Sequence, residues 1–261
     1  MKLRHIIIFV FLILSLCLST IVCGQQITVA AAADLNAALT ELTAKYSATS
    51  GVAVKLSFGA SGNLFNQIQN GAPFDLFFSA DEDYPKQLIE KGLGEKDSLY
   101  RYAVGRIVLW VPADSKLDLE GKGLQALLDP AVKKIAIANP QHAPYGRAAE
   151  AALRHAGVYD QIHERLVLGE NVSQAAQFVE SGNAQAGIVA LSHAMAPAMK
   201  GKGKTWEVPL DFYPPLNQAA IVISRSQQKG KAAQFLEYLR KPEATEVLRK
   251  YGFTAPVAEP R

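Results

Sequence analysis

Apolar and polar positions along the chain change period at regular intervals. Short apolar runs at residues 27–31, 52–58 and 74–78 alternate with stretches in which apolar residues recur every three or four positions. Leu35, Leu39, Leu42 and Tyr46 form one such stripe, and residues 64–70 and 84–90 carry two more. This spacing predicts strand followed by helix three times over, and hence a parallel sheet with helices on both faces. One long strand is expected over residues 102–112, after which the alternation restarts. Strands are expected at 134–138, 165–168 and 186–190, with helices at 148–156 and 173–179. A further long strand over 217–224 and two amphipathic helices, 231–239 and 242–251, close the chain.

The predicted fold class is therefore α/β, built as two lobes. Residues 25–101 begin the first lobe, 102–219 form the second, and 220–261 return to complete the first. The two long strands carry the chain between lobes, which makes a two-strand hinge with a cleft beside it.

The first 24 residues stand apart from this pattern. Lys2 and Arg4 precede an apolar run from Ile6 to Val22, and Gly24 offers a small residue for cleavage. That order reads as a signal peptide, 1–24, and places the protein in the periplasm. Cys23 leaves a lipid anchor as the lesser alternative. Cys17 and Cys23 are the only cysteines, so the exported chain is expected to hold neither disulfide nor reactive thiol. The net charge of +3 includes Lys2 and Arg4, and the near-neutral remainder carries no footprint for nucleic acid.

Candidate chemistry sits where expected strands turn into expected helices. Asp34 follows one strand, Gly59-Ala60-Ser61-Gly62-Asn63 another, Pro144-Tyr145-Gly146 a third, and Glu170-Asn171-Val172-Ser173 a fourth. In a parallel sheet such junctions lie at the carboxyl ends of strands, where ligands bind. Helix N-termini present N–H groups without partners and the positive end of the dipole. One junction alone is most simply a helix cap. Four of them, two in each lobe, point to a site for an anion that needs no lysine or arginine.

Enzyme signatures fit poorly. The stretch GASGN misses the nucleophile elbow at its last position, where Asn63 stands. Residues 198–205, AMKGKGKT, miss the phosphate-binding loop at Ala198 and read as a solvated basic loop. His142, His155, His163 and His193 show no metal-ligand spacing. A hydrolase using Ser61 with a distant Asp and His is kept as the reading from another class.

Several segments resemble the periplasmic molybdate-binding proteins of the ModA family. They are AAADL, SFGASGNLFNQIQNGAPFDLFFSADE, YAVGRIVLWVP, IANPQHAPYGRAA, GENVSQAAQFVESGNAQAGIVALS and YGF, in that order along nearly the whole exported chain. The resemblance implies a type II periplasmic-binding-protein fold. It implies capture of molybdate or tungstate, no cofactor, no catalysis, and delivery by a monomer to the permease and ATPase of an ABC importer. It further implies that Ser61 donates its hydroxyl and N–H to the oxyanion, and that Tyr145 and Val172 donate backbone N–H groups. Asp34 stands where many members have Ser or Asn, and Ala190 where some have a ligand tyrosine. A phosphate- or sulfate-type binder on the same fold is the alternative. Three roles for Asp34 stay open: N-cap of the following helix, acceptor for a hydrogen-bearing anion, or ligand to the anion's central atom. The N-cap is preferred because Asp34 immediately precedes the apolar stripe.

Overall fold

The computed structural model describes residues 26–256; the expected signal peptide and both cysteines lie outside the described residues. Two five-stranded mixed sheets, each flanked by helices, make an α/β protein of two lobes.

The first sheet has the order β2-β1-β3-β10-β4. Its strands are β1 (Gln26–Ala32), β2 (Ala53–Gly59), β3 (Leu76–Ser79), β4 (Tyr100–Gly105) and β10 (Leu216–Val222). β1, β2 and β3 are parallel, while β10 runs antiparallel to both β3 and β4. Alternation along β1 sorts its side chains onto two faces. Val29 and Ala31 join Leu35, Leu39, Leu42, Phe78 and Phe235 in one apolar cluster, whereas Ala30 joins Leu64, Phe65, Ile68 and Phe77 in another. Helices α1 (Asn36–Ser50), α2 (Ser61–Gln69) and α3 (Asp83–Glu90) follow the three parallel strands in turn.

The second sheet has the order β7-β6-β8-β5-β9. It comprises β5 (Ile107–Pro112), β6 (Ile135–Ala138), β7 (Leu166–Gly169), β8 (Ala186–Ala190) and β9 (Gly203–Glu207). Helix α4 (Pro144–His155) follows β6 and α5 (Val172–Glu180) follows β7. The chain ends on α6 (Lys229–Leu239) and α7 (Pro242–Lys250), both packed on the first sheet.

The single strand expected over 102–112 is two strands in two different sheets. β4 pairs with β10 in the first sheet and β5 pairs with β8 and β9 in the second, so the chain crosses at Arg106. The return crossing lies between β9 and β10, ahead of Leu216, so the 102 and 219 boundaries each fall within a first-sheet strand. The expected basic loop also differs. Its later residues form edge strand β9, where Gly203–Glu207 pairs with β5. Charged Lys204 and Glu207 on an exposed edge blunt further pairing.

The lobes are in contact across the cleft. The Gly62 N–H donates to the His142 carbonyl at 2.9 Å, and Arg147 pairs with Asp81 at 2.6 Å. Gly62 is required at this approach, because a Cβ there would stand 2.6 Å from the Tyr84 hydroxyl and 2.8 Å from the His142 carbonyl oxygen.

Candidate oxyanion site between the lobes

Four strand ends and the turns that follow them converge on one cavity. Its lining includes Ala32, Ala33 and Asp34 at the end of β1 and just beyond it, Gly59, Ala60 and Ser61 at the end of β2 and just beyond it, Ala143, Pro144 and Tyr145 before and within α4, and Asn171 and Val172 at the start of α5. Ala80 completes the wall, and the cavity volume is about 10 Å³. The four junctions singled out in the sequence are therefore neighbours in space. No lysine or arginine lines the cavity.

Each junction presents its first helical turn to this space. Ser61 is the first residue of α2, and Pro144 and Tyr145 are the first two of α4. Proline suits that position because it lacks the N–H that would otherwise need a partner, and Tyr145 supplies the next one. The Asn171 side chain accepts from the Ser173 and Gln174 N–H groups at 3.0 and 3.1 Å, so this cap does not engage the Val172 N–H. Ser61 Oγ accepts from the Ala80 N–H at 2.9 Å. That bond holds the side chain in place and leaves the hydroxyl proton for another acceptor.

Ser61, Asp34, Tyr145 and Val172 are all buried and all line the cavity. Ala190 does not. It is the last residue of β8, fully buried and opposite Ile107, and its methyl group offers no hydrogen bond.

Asp34 is not a helix cap. It lies inside a 3-10 turn, Ala33–Leu35, and α1 begins without any side-chain cap. Its carboxyl group instead turns toward the hinge. Oδ2 accepts from the Tyr145 hydroxyl at 3.0 Å and from Gln218 Nε2 at 2.7 Å. With Oδ2 taken by two protein donors and Oδ1 buried, the open bidentate carboxylate that would ligate a central metal atom is not what stands here.

Gln218 and Tyr102 extend this cluster, and neither drew attention in the sequence. The Tyr102 hydroxyl donates to Gln218 Oε1 at 2.7 Å, and Gln218 is wholly buried. A register shift in the β10–β4 pairing falls at Gln218 and Ala219, the kind of bulge that re-aims a side chain. Gly105, the last residue of β4, makes the room. A Cβ there would lie 2.3 Å from the Tyr145 hydroxyl and 2.6 Å from Gln218 Nε2. The available signal was the polar pair Asn217-Gln218 at the head of an apolar run.

Burial sets the charge states. Desolvation raises the Asp34 carboxyl to about 6, against the opposing pull of its hydrogen bonds from Gln218 and Tyr145. Burial, with the nearby Asp34 charge, pushes the Tyr145 and Tyr102 hydroxyls up, so both remain neutral donors. Ser61 has no histidine or carboxylate partner among the described residues. Among the described residues the one serine–histidine pair is Ser173 Oγ with His193 Nε2 at 2.6 Å, and Ser173 Oγ also donates to the Ala33 carbonyl at 3.2 Å. That pair ties the second lobe to the turn that carries Asp34.

Two α/β lobes with a cavity between them, lined by strand-to-helix junctions of both, define the class of protein. The chain matches the bacterial extracellular solute-binding protein family over residues 27–254. Within that class it belongs to the ModA family. It is 37% identical over 228 residues to the molybdate-binding protein ModA of Rhodobacter capsulatus, covering 87% of this chain and 88% of that one. It is equally 37% identical over 230 residues to ModA of Azotobacter vinelandii, covering 88% of this chain and 90% of the relative. The solved structure of the Azotobacter vinelandii periplasmic molybdate-binding protein superposes with a TM-score of 0.83 at 36% identity, covering 88% of this chain and all of that one.

Proposed function

We propose that this protein captures molybdate or tungstate between its lobes and delivers it to the permease and ATPase of an ABC importer. The observation that carries the reading is the convergence of four strand-to-helix junctions, from both lobes, on one cavity without a cation. Backbone N–H groups at helix N-termini hold an oxyanion by charge-assisted hydrogen bonds whose geometry is fixed before the ligand arrives. Ser61 adds its hydroxyl, and Tyr145 and Val172 add backbone N–H groups. The molybdate-binding proteins named above support the choice of anion. Export to the periplasm by the first 24 residues accords with the extracellular family and with action as a monomer that carries solute to a membrane partner.

Chemistry is not part of this reading. The solute-binding family and the lack of a base beside Ser61 both argue for capture alone. One observation favours a second anion class. An ionised Asp34 can only accept a hydrogen bond, which suits an anion that carries its own proton, such as hydrogen phosphate. Titration of the purified protein with molybdate, tungstate, sulfate and phosphate separates the two, because only a hydrogen-bearing anion gains from that acceptor.

A further inference from the structure

The wall of the cavity contains an apparent contradiction: its one charged side chain, Asp34, has the same sign as the ligand. Among the described residues no lysine or arginine lines the cavity to compensate. The groups that face Asp34 come from each element packed around its turn. From α4 comes the neutral Tyr145 hydroxyl, from β4 the neutral Tyr102 hydroxyl, and from β10 the uncharged Gln218. The short helix Leu191–Ala194 contributes His193, whose imidazole burial holds down to about 4 and so leaves neutral. From α5, Glu180 lines the adjoining space and is paired with Lys202. Asp81 is paired with Arg147. α1 places Asn36 and Ala37 beside the same space.

The two oxygens of Asp34 are unequal. Oδ2 accepts two side-chain hydrogen bonds, while Oδ1 is buried and no side chain donates to it; Asp34's own backbone N–H is the one further group that favours the ionised carboxyl. An ionised carboxylate would leave half of its charge on a buried oxygen without a side-chain donor, which is costly. A carboxylic acid fits the same surroundings. Its carbonyl oxygen takes the two donors and its hydroxyl occupies the orphaned position.

We propose that oxyanion capture is linked to uptake of one proton by Asp34, carried on Oδ1, so that the dianion enters a neutral wall. The proton comes from solvent, forms the O–H bond and breaks none in the ligand. The inference rests on the oxyanion reading above and adds to it a dependence on pH. A carboxyl that titrates at about 6 in the empty protein is mostly ionised at neutral pH, and a dianion beside it raises its affinity for the proton further.

Calorimetry with sodium molybdate, repeated in buffers of unlike ionisation enthalpy, counts the protons taken up per anion bound. At about pH 7.5 the wild type should take up close to one proton, and its Kd should weaken about tenfold per pH unit above about 6. Asp34→Asn presents an amide at the orphaned position and should take up none, with a Kd that is flat over the same range. If that variant does not fold, Asp34→Ser removes the carboxyl by another route, and the wild-type proton count stands by itself. Binding of molybdate without proton uptake overturns the proposal and leaves the oxyanion reading intact, as does uptake that persists in Asp34→Asn. Absence of molybdate binding at both about pH 5.5 and about pH 8.5 overturns the two together.

Discussion

The Tyr145 hydroxyl donates to Oδ2 of Asp34 at 3.0 Å, and the two residues belong to different lobes. The side chain of Tyr145 therefore ties the lobes together while its backbone N–H faces the cavity. An expectation based on the N–H alone would make the side chain dispensable. It is instead almost fully buried, against Gly105 and Gln218.

Tyr145→Phe keeps the ring and removes the interlobe hydrogen bond. It should weaken anion binding by roughly 0.5–1.5 kcal/mol, the usual net worth of a buried hydrogen bond. Tyr145→Ala should cost on the order of 3–5 kcal/mol of folding stability through the cavity it leaves. Thermal melts of both variants check this. An unaltered melt for Tyr145→Ala would show that the ring is not part of the packed interior.

Ser61→Ala should act twice. Loss of a charge-assisted bond to the anion should weaken binding by about 1.5–3 kcal/mol. Loss of Oγ also leaves the buried Ala80 N–H without its acceptor, at a cost of about 1–3 kcal/mol to the unliganded fold. Denaturant unfolding with and without molybdate separates the two effects. A variant that loses affinity but no stability would mean that water replaces the serine at Ala80.

Much of this was legible in the chain. The four junctions could be found because each couples an apolar run to a residue type favoured at helix starts, Asp34, Ser61, Pro144 and Asn171, although Asp34 itself sits in a 3-10 turn ahead of α1. What stayed hidden is long-range. Asp34 and Gln218 are 184 residues apart, and no local pattern says that they meet. Asp is also a common helix cap, so propensity pointed the wrong way until the tertiary partners were visible. The break at Arg106 was masked because apolar residues continue through both β4 and β5. β9 was masked because Gly203, Lys204, Thr205 and Glu207 carry little apolar signal on an edge strand.

Closure of the lobes depends on Gly62. A Cβ at this position would collide with the Tyr84 hydroxyl and with the His142 carbonyl of the opposite lobe. Gly62→Ala should therefore leave the separate lobes folded and hinder their approach. X-ray scattering with saturating molybdate should show compaction for the wild type and less for the variant. Equal compaction would mean that the lobes meet in some other register.

The contribution of Asp34 to the stability of the ligand-free protein should fall as pH rises from about 4 through 6. The Asp34 carboxyl goes from 3.8 to about 6 on folding, so the folded chain holds that proton more tightly. Its contribution is fully present below about pH 4 and is lost as pH passes about 6, on the order of 3 kcal/mol at most. Asp34→Asn should remove this slope. Parallel stability profiles for the two proteins would show that Asp34 titrates normally.

The claim at the centre is that rigid donors from both lobes read the size and charge of a tetrahedral oxyanion. The most direct measurement is a competitive equilibrium titration of the purified protein with molybdate, tungstate, sulfate and phosphate. A smaller anion cannot reach every donor, and each buried N–H left unpaired costs about 1–3 kcal/mol. Molybdate and tungstate should bind in preference to sulfate and phosphate by several powers of ten. Equal affinity for sulfate, or tighter binding of phosphate, would contradict the account.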